Sequence, residues 1–472
     1  QSAGPRKEVS SRCWQFKPLA CEGMGDIVTD AVRRRLDRPA ALGDRALAGS
    51  EKLRFFPLVA ASGHGCLVTD EDGREYLDLS AGWTAAGIGY AHPEVVAAVT
   101  DAITHQAYTG GISASIPVTS GLVEDLISRF PHVENPRVYL GNSGTDANDV
   151  ALRLCREYTG RQRIISFENS YHGGLGLAMA VSGVHVAAGV AADPDTTFLP
   201  YPDPVRPHTG NPQTVAEDVL ARLHTELERG DVAALIIEPI QSDGGLVIPP
   251  AGFLRRVVDM CQVAGVPTIV DEVKVGLART GRFNAFDHDQ AAPTIVTLGK
   301  SLGGGLPISA AIGPAVILDQ PVASALLTMA GNPVCAASAR AVLRVIDDEG
   351  LVLRAAESGE RMRAALHAAA QREGVTDVIR DIRGLGLTIG VDLVHPGDGG
   401  ARDVDLARKS VYRAWQLGVI LYYVGGNVLE ITPGLIISDE HIDFAADVVM
   451  RAVREARAGA VTNDEIASYT GW

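Results

Sequence analysis

Short apolar runs rich in β-branched residues recur through the middle of the chain, each ending on a polar residue or a glycine. They are Arg137–Leu140, Arg163–Phe167, Val232–Ile237, Thr268–Asp271 and Thr294–Leu298. Runs of this length and composition read as buried strands. Between them the pattern changes to helical spacing, at 117–130 and 145–159, and a long alanine-rich helix is expected at Cys335–Asp348. Strands alternating with helices predict an α/β architecture, a mostly parallel sheet covered on both faces. Ahead of it, Gly65–Thr69 and Glu75–Leu79 form an expected hairpin about Asp72-Gly73, followed by a helix from Pro93 to His105. The last stretch mixes helices (353–373, 403–417, 440–458) with short strands (385–393, 419–423, 428–431), an α+β unit.

This pattern divides the 472 residues into four parts. Residues 1–50 are an extension, with Arg33, Arg34 and Arg35 on a short helix at Asp26–Leu36 read as a solvated face. Residues 51–105 begin a small domain, 106–340 form a large domain, and 341–472 complete the small one. A chain this long exceeds a single hydrophobic core. Hydrophobic residues make up 46% of it, enough for a large interior.

Charge and cysteine usage narrow the function classes. A net charge of −15 argues against a nucleic-acid or anionic-membrane surface. No apolar run is long enough to span a bilayer, and the first residues lack the apolar region of a secretory signal. The six cysteines are scattered without a paired motif. They fit free thiols in a reducing cytoplasm better than disulfides or a zinc site, and no metal site is expected.

Two strand ends carry the chemistry. PTIVDEVKVG places Asp271 at the end of one strand, and PTIVTLGKSLGGG places Lys300 after the next, at a glycine-rich turn. An acid and a lysine so disposed suit pyridoxal phosphate. Its aldehyde needs an amine for a Schiff base, and its pyridine nitrogen needs a carboxylate to stay protonated. Asn142-Ser143-Gly144-Thr145 opens a helix after a strand, either a phosphate-binding loop or an ordinary N-cap. Tyr171-His172-Gly173 follows another strand. Its ring could stack on a heterocycle or pack within its loop. Glu238 and Asp243, in IIEPIQSDGG, read either as site carboxylates or as solvated loop acids, the second with a plain turn at Gly-Gly.

Taken together, NSGTDAN (142–148), SYHG (170–173), EPIQSDGG (238–245), DEVKVGLARTG (271–281), LGKSLGGGLP (298–307) and TMAGNP (328–333) resemble the class III (fold type I) pyridoxal-phosphate aminotransferase group. The resemblance implies a seven-stranded, mostly parallel sheet in the large domain and a homodimer with shared active sites. It implies Lys300 as the Schiff-base lysine, Asp271 as partner of the pyridine nitrogen, and Ser143, Gly144 and Thr145 as the phosphate loop. Tyr171 becomes the stacking ring, with His172 and Glu238 beside the cofactor. Gln241 is placed near its phenolic oxygen, and Thr328 reaches a phosphate across the subunit interface.

One departure sharpens the reading. Where such aminotransferases carry an arginine that forks onto the substrate carboxylate, this chain has Glu430, within Val428–Pro433. Arg383 remains as another carboxylate partner, and Lys274 stands where glutamine is commoner. KLRFFPL (52–58), DEVKVGLAR, VLEITP and NDEIASYTGW (463–472) resemble the racemases of amino lactams and amino acid amides, of the α-amino-ε-caprolactam type. That resemblance implies a small-molecule amide or lactam substrate, contacted by Trp83, Lys274 and Glu430. Trp83 could equally be a packing indole. It implies that Lys300 moves a proton on one face of Cα and Asp243 on the other, with Tyr171 as another candidate relay. An ω-amino acid aminotransferase is the competing function.

Overall fold

The computed structural model describes residues 46–106, 111–397, 400–469 and 471. The chain divides into two compact units, Gln1–Lys52 and Leu53–Trp472. Of the first, the described part holds one short 3-10 helix, Gly49–Glu51. The expected helix at Asp26–Leu36, Cys13 and Cys21 lie outside the described residues.

The second unit opens with three antiparallel strands, β1 (Ala60–His64), β2 (Leu67–Asp70) and β3 (Glu75–Asp78). The β2–β3 hairpin turns at Asp72-Gly73 as the sequence predicts, and the helix Pro93–His105 has the expected bounds. The main sheet is built from β4 (Pro136–Gly141), β5 (Arg163–Phe167), β6 (Thr196–Leu199), β7 (Val232–Ile237), β8 (Thr268–Asp271), β9 (Ile295–Leu298) and β10 (Ser309–Pro314). Its seven strands run in the order β4-β10-β9-β8-β7-β5-β6. β10 is antiparallel to both neighbours and the rest are mutually parallel.

The helix Gly144–Thr159 shows why the sheet is covered. Ala147, Val150, Ala151, Leu154 and Cys155 recur at the three- and four-residue spacing that makes one stripe. That stripe packs on Ile164, Ala234, Ile236, Ile269 and Ile295 of the strands beneath. Ser143 caps the helix start, and Gly160, at φ 65°, ends it in the left-handed conformation open to glycine. Further helices at Val215–Glu228 and Phe253–Val263, which the sequence reading did not name, pack against each other and the sheet.

The remaining strands are β11 (Ile379–Leu385), β12 (Thr388–Leu393), β13 (Val419–Ile420), β14 (Tyr422–Val424) and β15 (Val428–Ile431). Four of them form an antiparallel sheet in the order β11-β12-β15-β14, while β13 joins the first sheet alongside β3. The strand expected over 385–393 corresponds to β12, which begins at Thr388 after a turn at Gly386 with φ 52°, and its hairpin partner β11 was not expected. Long helices at Pro333–Asp348, Leu351–Glu373, Val404–Gln416 and Asp439–Arg457 match the expected ones to within two residues. Cys66, Cys155, Cys261 and Cys335 are buried free thiols. Among the described residues no helix is long and apolar enough to cross a membrane.

Candidate active site

Ligands of open α/β sheets gather beyond the carboxyl ends of the strands. Here five strand ends converge on one cavity of about 420 Å³. β4 delivers Ser143, Gly144 and Thr145; β5 delivers Tyr171 and His172; β7 delivers Glu238 and Asp243; β8 delivers Asp271 and Lys274; β9 delivers Lys300. Ala85, Val273, Val275, Leu306, Pro307 and Ile308 supply an apolar wall. Among the described residues no arginine lines it.

Asp271 is 5% exposed and fully hydrogen-bonded by fixed donors. Its Oδ2 accepts from Asn148 Nδ2 at 2.7 Å and lies 2.9 Å from His172 Nδ1, and its Oδ1 accepts from Val273 N at 3.1 Å. Thr297 in turn donates to Asn148 Oδ1 at 2.7 Å, which fixes the amide so that its nitrogen faces Asp271. Asn148 was not singled out from the sequence. It sits one helical turn after Gly144, the spacing that puts two residues on one face, and that was the available signal.

Lys300 is half-buried, and its amine has no hydrogen bond or ion pair among the described residues. Burial first, and the Lys274 charge second, push its pKa below the ordinary lysine value. Its backbone lies at φ 41°, a left-handed conformation that costs roughly 1–2 kcal/mol for a residue with a Cβ. Strain of this kind concentrates where a side chain must be aimed.

A second cluster borders the same cavity. Lys274 Nζ donates to Asp243 Oδ1 at 2.8 Å, and it forms an ion pair with Glu430 Oε1 at 2.8 Å. All three groups are buried. Burial disfavours the Lys274 charge, but the two carboxylates outweigh it and raise its pKa. Burial likewise works against the Asp243 carboxylate, and the charges of Lys274 and Lys300 override it, so its pKa is lowered. Glu238 behaves oppositely. Burial, then the Asp271 and Asp243 charges, raise its pKa well above the carboxylate range, while it accepts from the amides of Tyr171 and Ser242. Neither Glu238 nor Asp243 is a solvated loop acid.

The other candidates are placed differently. Gln241 does not line the cavity, and its amide nitrogen donates to the Glu168 carbonyl at 2.7 Å, whereas Lys274 does line it. Glu430, on β15, stands behind Lys274 rather than on the wall. Trp83 also stays off the wall. It stacks on Tyr422 at 4.5 Å, and the Lys274 ammonium lies 5.2 Å from its ring centre. Arg383 donates to the carbonyls of Gly245 and Leu246 and pairs with Asp381 and Asp392, so its guanidinium is committed outside the cavity. Thr328 is exposed and lies off this wall. Tyr171 lines the cavity, with its ring 5.4 Å from that of His185.

The donor set fits pyridoxal phosphate. Asp271 is a buried carboxylate with no lysine or arginine partner among the described residues, as a protonated pyridine nitrogen requires. Lys300 offers an unengaged amine. The amides of Gly144 and Thr145, in the first helical turn, have no intrahelical acceptor and lie on the wall where a phosphate can take them. Gly144 is needed for a further reason: a Cβ there would stand 2.6 Å from Val273 Cγ1, so the β8 loop packs directly against the helix start.

Comparison with known proteins agrees with this geometry. The aminotransferase class-III family model matches residues 48–453. A leucine/methionine racemase of Thermococcus litoralis is 34% identical over 91% of this chain and 98% of its own. An acetylornithine aminotransferase of Mycobacterium bovis is 36% identical over 86% of this chain and 93% of its own. Among solved structures, ornithine aminotransferase of Toxoplasma gondii, reported with partial occupancy of its PLP, superposes with a TM-score of 0.77 at 28% identity, over 92% of this chain and 98% of its own. The chain therefore belongs to the class-III aminotransferase family and takes that family's cofactor, pyridoxal 5'-phosphate.

Proposed function

We propose that this enzyme is a racemase acting at the α-carbon of amino compounds, with amino lactams or amino acid amides as substrates. The observation that carries the reading is the Asp243–Lys274 pair, backed by Glu430, on the same cavity as Lys300, in a wall that holds no arginine among the described residues. Racemisation needs a proton-handling group on each side of Cα, and a single lysine tends to return the proton to the side it came from.

Bound at Lys300, pyridoxal phosphate supplies an electron sink that makes the Cα proton removable. Asp271 holds the negative charge that keeps the sink deep, because its three partners are fixed and none is a lysine or an arginine. Lys300 Nζ takes or returns the proton on one side. Its lowered pKa favours the free amine that this step uses. Asp243 does the same on the other side through a carboxylate oxygen, and Tyr171, which also lines the cavity, is the other candidate relay. When Asp243 gains a proton, Lys274 keeps its ion pair with Glu430, so no unpaired buried charge appears. Glu430 and Asp243 together occupy the Lys274 ammonium, which leaves it poorly placed to grip an α-carboxylate and favours a neutral carbonyl. Trp83 shapes the substrate end of the site through its contact with Lys274. The same reading has the enzyme work as a homodimer, with Thr328 serving the partner's phosphate.

A second reading is racemisation of free amino acids. The leucine/methionine racemase, the alanine/serine racemase of Pyrococcus horikoshii and the isoleucine 2-epimerase of Lentilactobacillus buchneri favour it, at 34–35% identity. Aminotransfer is the third, favoured by the acetylornithine aminotransferase likeness. One experiment separates the three. The holoenzyme receives one enantiomer each of an amino lactam, an amino acid amide and a free amino acid, in heavy water with no keto acid. Inversion with deuterium at Cα, fastest for the lactam or amide, supports the proposal. Inversion confined to the free acid supports the second reading, and turnover only after a keto acid is added supports the third.

A further inference from the structure

Four consecutive residues, Ala81, Gly82, Trp83 and Thr84, have φ of 46°, 57°, 59° and 67°. This is a turn of left-handed backbone, and only one of the four is glycine, so something outside the turn must hold it. The holder is Asp78, a 2% exposed carboxylate at the end of β3. Its Oδ1 accepts from Ser80 N and Ser80 Oγ, both at 2.7 Å. Its Oδ2 accepts from Gly82 N at 3.2 Å and from the Tyr90 hydroxyl at 2.6 Å. The turn it holds reaches both ammonium-bearing segments. Ser301, next to Lys300, donates to the Thr84 carbonyl at 2.5 Å. The Thr84 hydroxyl donates to the Lys274 carbonyl at 3.4 Å, and the Trp83 ring lies 5.2 Å from Lys274 Nζ.

We propose that Asp78 and Tyr90 are positioning residues, which set Lys300 and the Lys274–Asp243 pair in register with each other through the turn Ala81–Thr84. They touch neither substrate nor cofactor. The clip matters because the two proton-handling groups come from different loops, Lys300 after β9 and Asp243 after β7, and Thr84 bonds to the chain beside each of the two lysines. Relaxing the turn displaces one group relative to the other. The proton can then leave and return on the Lys300 side while delivery on the far side fails.

This inference rests on the racemase reading, and its test separates the two. Wild-type holoenzyme, Asp78→Asn and Tyr90→Phe are each given one enantiomer of an amino acid amide in heavy water without keto acid. Cα deuteration and inversion are measured together. On the cofactor-free proteins, amide hydrogen exchange is followed over residues 80–86. The proposal expects the ratio of deuteration to inversion to rise at least about threefold in both variants, more in Asp78→Asn, and the amides of the turn to exchange faster by a similar factor. Tyr90→Phe removes only one donor, so it keeps the test open if Asp78→Asn folds poorly. Deuteration and inversion falling in proportion, or unchanged amide exchange in the turn, overturns the proposal. Wild-type deuteration without inversion overturns the racemase reading instead, and the amide exchange then decides the positioning claim alone.

Discussion

Asp271 and Asp243 are both buried carboxylates beyond the ends of neighbouring strands, yet they are held in opposite ways. Asp271 is clamped by an amide, an imidazole and a backbone N–H, each fixed by its own packing. Asp243 takes an ammonium that it shares with Glu430. Fixed donors stabilise a charge that never changes. A shared cation lets a carboxylate gain and lose a proton without stranding a charge in the interior. On the proposed reading, the contrast separates the acid that tunes the cofactor from the acid that works on the substrate.

The largest effect that sharpens this contrast comes from neither acid but from the Lys300 amine. Lys300→Ala is expected to lower racemisation by at least about 10³-fold, followed by polarimetry. Asp243→Asn is expected to lower inversion by about 10²–10⁴-fold, since an amide cannot take up a proton at this site. If instead Asp271→Asn spares the cofactor's affinity while Asp243→Asn abolishes it, the two roles are exchanged and the comparison breaks.

Lys274→Gln leaves Asp243 and Glu430 buried together without a cation. It is expected to cost roughly 3–5 kcal/mol in urea unfolding, and Lys274→Gln combined with Glu430→Gln should recover part of that. Asn148→Ala removes one charge-assisted hydrogen bond from Asp271 and is expected to weaken cofactor affinity roughly ten- to hundredfold, read by titration of the apoenzyme.

The smallest effect is a pH dependence. The Asp243 carboxyl is lowered from 3.8 in the folded chain. Its contribution to stability is therefore present above 3.8 and is lost as pH falls through the lower folded value. Lys274 is raised from 10.5, so its contribution is present below 10.5 and is lost as pH rises through the higher folded value. Unfolding free energy measured against pH should fall on both sides for the wild type. The acid-side fall should be shallower in Asp243→Asn.

Much of the site was legible because it lies at strand ends. Asp271, Lys300, Tyr171 and Ser143 each follow an apolar run that the sequence marks, and an α/β sheet brings such ends together. The parts that were missed depend on contacts distant in sequence or on backbone conformations with no local signature. Lys274 and Glu430 sit on β8's loop and on β15, in different sheets, and nothing local marks them as partners. Ala81, Trp83 and Thr84 are not residues that favour left-handed backbone, so only Gly82 hinted at the turn that carries Trp83. The strand β10, Ser309–Pro314, escaped because its small residues carry no β-branched signature apart from Ile312. The strand β11, Ile379–Leu385, escaped because Arg380, Asp381 and Arg383 break up its apolar run.

The account stands most directly on which group serves which side of Cα. Asp243→Asn and Lys300→Ala holoenzymes are each given the two enantiomers of one amino acid amide separately, in heavy water, and Cα deuteration is followed by mass spectrometry. The account predicts that Asp243→Asn still deuterates one enantiomer and fails with its mirror image, while Lys300→Ala loses the enantiomer that Asp243→Asn retains. Equal deuteration of both enantiomers by Asp243→Asn would contradict it.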